Sequence, residues 1–341
     1  MNPVPENTLP DRARFKLAAL IEVLGLFLVG SFLGARVEAW LGVKPLDVLL
    51  QTGLKANPPD WIALSGGWMQ TMGIHYACLL VPAWMVGRLR RRPSAGDHDR
   101  ATVRQSLARL SGVGLIVFSC AGLGLVALTV TRRLLPLGPH PSFLTPYLAQ
   151  DWTPSFWIFL LVASMVVQPL LEELFFRGYC QRRFEEAFGG PGAIIIVSLF
   201  VTLAHDQYHH PTVGAAVIMA AVILLNLGIG YAYWHSRSLV PAMLVHGLAN
   251  VPTKGIYDFL LPAAMLAVLA ISRDTWVTPL RDYCTALARA ARQKVIWAVS
   301  LIAILAAIGI ERAPRSFAIL GAIGLALALG SKIPRRDGER L

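Results

Sequence analysis

The fold turns on one stretch, 157-WIFLLVASMVVQPLLEELFFRGYC-180. Its first half is an apolar run of the kind that fills a bilayer. Its second half adds Glu172, Glu173 and Arg177 without abandoning the apolar pattern. Either these charges mark the edge of a membrane, or they form a working site inside it.

The rest of the chain repeats the apolar half. Its 341 residues are 55% hydrophobic and 15% charged, with a mean hydropathy of +0.56. A soluble domain carries roughly a quarter charged residues. Uncharged runs near 17–35, 68–87, 110–131, 155–171, 191–205, 212–234, 238–252, 259–272, 295–310 and 316–330 approach the roughly 20 residues that cross a hydrocarbon core. The sequence therefore predicts an all-α fold, a polytopic transmembrane helix bundle of about 8–10 spans.

A net charge of +11 raises nucleic acid as a partner, but the positions of the charges answer otherwise. With the N-terminus cytoplasmic, 23 of the 31 lysines and arginines fall on the inside, among them Arg12, Arg14, Lys16, Arg177, Arg183 and a cluster from Arg88 to Arg109. That bias follows the positive-inside rule. The basicity is topological, and the expected partners are the lipid bilayer and a peptide or protein in the membrane, with no nucleic acid. Both termini are expected on the cytoplasmic side of a plasma membrane, the bacterial inner membrane. Arg12–Lys16 followed by a long apolar run reads as an uncleaved first helix. Glu22, inside that run, reads as a helix-packing partner. Cys78, Cys120, Cys180 and Cys284 have no paired spacing, so no disulfide framework or zinc knot is indicated.

Three sections follow from the pattern. Residues 1–150 hold front spans and a basic cytoplasmic loop, and five prolines between Pro136 and Pro154 exclude a regular helix there. Gly30 and Gly34 would allow close helix contact. Residues 151–258 are the expected catalytic core. Residues 259–341 return to ordinary apolar spans and a basic tail.

The core gathers several polar and ionisable groups within its spans. Glu173 and Arg177 are four apart in the favourable order for a helical ion pair, while Glu172 points about 100° away. His205 ends an apolar run, with His209 and His210 just beyond it and Pro211 closing the segment. His246 and Asn250 are again four apart. Ionisable groups buried in a membrane are costly when idle and default to function. A carboxylate in an apolar cavity suits a general base, and imidazole or amide N–H groups suit an oxyanion. The residues thus describe hydrolysis of an amide by activated water, or a zinc variant with Glu172, His205 and His246 as ligands.

The order EExxxR, then a span-end histidine, then HxxxN resembles the CPBP family of intramembrane proteases, which includes the CAAX prenyl endopeptidase. The resemblance covers residues 155–252. It implies a metal-free, glutamate-dependent endopeptidase without cofactor, with Glu172 and His205 activating water and His246 and Asn250 at the oxyanion. Glu173 and Arg177 match accompanying positions with a supporting role. Val201 stands where the family commonly has phenylalanine before the histidine. A transporter or a bacteriocin-immunity-type binding protein would use the same polar cavity without a proteolytic product.

Overall fold

The computed structural model describes residues 9–44, 61–89, 153–205, 212–250 and 257–330. These residues form ten helices and no strand: α1 (Leu9–Trp40), α2 (Trp61–Leu89), α3 (Pro154–Phe188), α4 (Gly190–Leu203), α5 (Val213–Ser236), α6 (Leu239–Ala249), α7 (Tyr257–Ile271), α8 (Arg273–Ala291), α9 (Lys294–Arg312) and α10 (Pro314–Gly330). Helices α1, α3, α5 and α9 are long and apolar enough to cross a membrane, and α4, α6 and α10 are shorter apolar helices. The expected all-α membrane bundle is what the chain forms. The expected span near 110–131, the basic loop, Cys120, His209 and His210 lie outside the described residues.

Helix α3 carries the centre of the fold. Thr153 caps it by accepting the Phe156 N–H at 3.3 Å, and Pro154 takes the first turn, where a missing N–H costs nothing. The helix then winds as a π-helix over Leu160–Val167, returns to α over Gln168–Phe175 and widens again over Phe176–Gln181. Pro169 accounts for the first widening. Its ring conflicts with the carbonyl four residues back, and it has no N–H to give. In the widened register Gln168 N–H bonds the Ala163 carbonyl, so the next carbonyl, Ser164, loses its partner to Pro169.

Here the expected end of a span near residue 171, with Arg177 and Arg183 beyond it on the inside, is corrected. The helix continues through Glu172, Glu173, Arg177 and Arg183 to Phe188, and Arg177 and Arg183 are each 1% exposed. They are interior groups and not loop charges on the inside face. What permits this is Glu22 on α1, fully buried, whose two oxygens accept from Arg183 Nε at 3.0 Å and the Tyr179 hydroxyl at 2.8 Å. The expectation of Glu22 as a packing partner holds.

Gly189 reverses the chain at φ +77°, a conformation that favours glycine, and α4 runs back along α3. The rings of Phe176 and Phe200 meet across this hairpin at 5.9 Å, and Phe27 of α1 joins Phe200 at 4.8 Å. Around them Val23, Leu79, Phe175, Ile196, Ile296 and Ala303 form the largest buried cluster. Lipid tails are as apolar as these side chains, so close packing and polar bonds must supply most of the helix association. The segment 273–294, taken from sequence as a cytoplasmic connection, is largely the helix α8. Its Tyr283 is buried and donates to the Leu227 carbonyl of α5 at 2.8 Å.

Candidate active site

Glu172 and Glu173 sit in the α-helical turn between the two π segments, near the middle of α3, and both are buried. Helical geometry sends them different ways, as the spacing predicts. Glu173 Oε2 lies 3.1 Å from Arg177 Nε, an ion pair without hydrogen-bond alignment, since neither atom makes a directed bond. Arg177 also donates through Nη2 to Asn226 Oδ1 of α5, and Asn226 Nδ2 donates to the Val222 carbonyl at 3.0 Å and to Thr202 Oγ1 of α4 at 3.4 Å. The supporting pair is thus the hub of a network joining α3, α4 and α5.

His246 arrives from α6. Its Nδ1 is 2.8 Å from Glu173 Oε1, and its Nε2 is 3.8 Å from Glu172 Oε2. A carboxylate only accepts, so Nδ1 carries the proton and Nε2 faces the second acid. This is the carboxylate–histidine arrangement that fixes ring orientation and tautomer. The other oxygen of Glu172, Oε1, accepts from Gln168 Nε2 at 2.9 Å, one turn earlier on α3. Glu172 is therefore held by one oxygen while the other faces an imidazole.

Close approach of α6 makes this possible. A Cβ on Gly247 would sit 2.4 Å from the Met165 carbonyl, so only glycine admits the contact beside His246. Asn250 lies one residue past the end of α6, and its Nδ2 donates to the Ser164 carbonyl at 2.8 Å. That is the carbonyl stranded by Pro169. The His246/Asn250 pair consequently divides: His246 turns to the acids, and Asn250 clamps α6 to the widened part of α3. One N–H of the Asn250 amide remains beyond that bond.

His205 closes the run of α4. Its Nδ1 is 2.7 Å from the Val201 carbonyl and must donate to it, which leaves Nε2 as the ring's acceptor. The hairpin register sets its depth. Glu172 lies 17 residues before Gly189 and His205 lies 16 after it, about 25 Å along each helix at 1.5 Å per residue. Among the described residues, no three His, Cys, Asp or Glu side chains converge as a metal-binding group.

Sequence reasoning missed Gln168 and Asn226. Both carried a signal, each being an amide side chain within an otherwise apolar run, and Gln168 stands four residues before Glu172. Residues 154–252 match the family model described as type II CAAX prenyl endopeptidase Rce1-like, and this segment is a domain of that protease family. No curated protein and no solved structure matches the chain.

Proposed function

We propose that this integral membrane protease hydrolyses a peptide bond of a membrane-associated or C-terminal-tail substrate at Glu172. The observation that carries this reading is the divided environment of the acid: Oε1 is tied to Gln168, and Oε2 is 3.8 Å from His246 Nε2. At that separation a water that contacts both groups is polarised from two sides. Glu172 takes a proton from the water, with His205 the second group assigned to its activation. The water oxygen bonds to the substrate carbonyl carbon, and the carbonyl π pair becomes an oxyanion.

His246 faces this charge with Nε2, which donates when the ring carries its second proton, while Nδ1–H stays on Glu173. The second amide N–H of Asn250 is the other donor proposed. Breakdown cleaves the C–N bond, and the leaving amine takes the proton held by Glu172. The products are a carboxylic acid and an amine, which exchange the remaining proton to give a carboxylate and an ammonium. Preorganised donors in a water-poor site favour such charge development.

The test compares the membrane proteome of cells carrying the wild-type chain with that of cells carrying Glu172→Gln. New C-termini that appear only with the wild type identify substrate and bond together. A variant that inserts normally and still yields the same products refutes the assignment.

A further inference from the structure

A second carboxylate–histidine pair lies outside the family-matched segment. Glu38, near the end of α1, and His75, midway along α2, face each other with Nδ1 3.9 Å from Oε1. That distance is an ion-pair contact and too long for a hydrogen bond. Glu38 Oε1 is buried and makes no hydrogen bond, a costly condition for a carboxylate between membrane helices. Gly30 and Gly34 bring the two helices together here. A Cβ on Gly34 would come 3.0 Å from His75 Nδ1, and one on Gly30 would come 2.8 Å from the Cys78 carbonyl.

The register of α2 on α3 then sets the depth of this pair. The two helices run parallel: Trp61 meets Phe156 at 4.9 Å, Trp68 meets Phe159 at 5.5 Å, and Tyr76 joins the buried cluster of Phe175 and Phe176. Helix α2 packs against the Gln168–Phe175 stretch of α3, and Tyr76, the residue after His75, shares a buried cluster with Phe175 and Phe176, which follow Glu172. With Nδ1 turned to Glu38, Nε2 is the ring atom that remains for the site.

We infer that His75, which faces Glu38, is a positioning residue for Glu172, a second imidazole supplied by α2 where His246 is supplied by α6. The inference rests on Glu172 as the base. It extends the working site into the front section of the chain, which the family match does not cover.

The test uses the full chain in lipid nanodiscs. His75→Leu keeps bulk and removes both nitrogens, while His75→Gln keeps a polar group. The first readout is kcat and KM for the product that Glu172→Gln abolishes. His75→Leu should lower kcat about tenfold, the scale of a small misplacement of the reacting group, with KM within about twofold. His75→Gln should retain more activity, and Glu38→Gln combined with His75→Leu should be no worse than His75→Leu. The second readout needs no substrate: labelling of Glu172 by dicyclohexylcarbodiimide, which reacts with protonated carboxyls, followed by peptide mass spectrometry. His75→Leu should change the labelling rate at Glu172 several-fold and leave melting temperature unchanged.

Wild-type kcat and wild-type labelling in His75→Leu overturn the inference. If His75→Leu does not insert, wild-type kcat in both His75→Gln and Glu38→Gln overturns it. Full product from Glu172→Gln overturns the parent reading instead, and carbodiimide labelling alone then decides the place of His75.

Discussion

Replacing Glu173 by methionine removes the counter-charge of Arg177 and the acceptor of His246 in one step. The two losses can be separated, because Arg177 and His246 use different oxygens of the carboxylate. Arg177 is 1% exposed and Glu173 2%. Deleting one member of a buried ion pair costs about 3–5 kcal/mol, most of it from the charge left behind. Adding Arg177→Met removes that charge, and a well-packed apolar pair of similar volume is close to neutral. The double variant still strands Asn226 Oδ1, whose donor was Arg177, at about 1 kcal/mol.

Stability should therefore fall by about 3–5 kcal/mol in Glu173→Met and recover to within about 1–2 kcal/mol of wild type in the pair. Hydrolysis should not recover, because His246 has lost the carboxylate that fixes its ring; losing such an orienting partner costs about 10–100-fold. Unfolding in mixed micelles measures the first quantity, and product formation per folded molecule measures the second. A double variant that regains both refutes the role of Glu173 toward His246. A single variant as stable as wild type refutes the account of Arg177 as a buried charge in need of Glu173.

Three further outcomes follow from the site. Asn250→Leu should cost about 1–3 kcal/mol by leaving the Ser164 carbonyl unbonded, and Pro169→Ala in the same chain should return part of that loss by restoring an N–H; equal losses with and without Pro169→Ala in the micelle unfolding assay would contradict the link. Gly247→Ala should reduce product formation at least tenfold while leaving the protein in the membrane, since its Cβ would meet the Met165 carbonyl at 2.4 Å and move His246 off the acids. Product formation should persist after dialysis against a chelator; loss of activity that added zinc restores would reinstate a metal route.

The different directions of the adjacent acids were legible from helical spacing alone, because the turn that carries them is α-helical, although π-helical turns lie on both sides. Spacing places His246 and Asn250 one turn apart, and the Asn250 N–H still bonds the His246 carbonyl, but spacing does not say what each side chain meets. What draws Asn250 away is the missing N–H of Pro169, 81 residues earlier, and a pattern read along one segment does not reveal which distant carbonyl that proline strands. The end of the α3 span was misplaced for a related reason. Arg183 looks like a stop signal until Glu22, 161 residues away, is seen to neutralise it. His75 gave no local signal beyond being a histidine in an apolar run. Its place depends on how α2 registers against α3.

The contact between Glu22 and Arg183 also bears on what counts as a unit of this protein. The family-matched segment, 154–252, is the portion that descent makes recognisable, yet one of its deepest cations is neutralised by a helix that starts near the chain's N-terminus. Excised, the segment would keep Glu186 at one edge of the Arg183 guanidinium and lose the acid at its centre. Tyr179 would lose its acceptor in the same cut. The recognisable module is therefore not a portable one: transplanted into another scaffold, it would need an acid supplied at the same depth before its own helices could close.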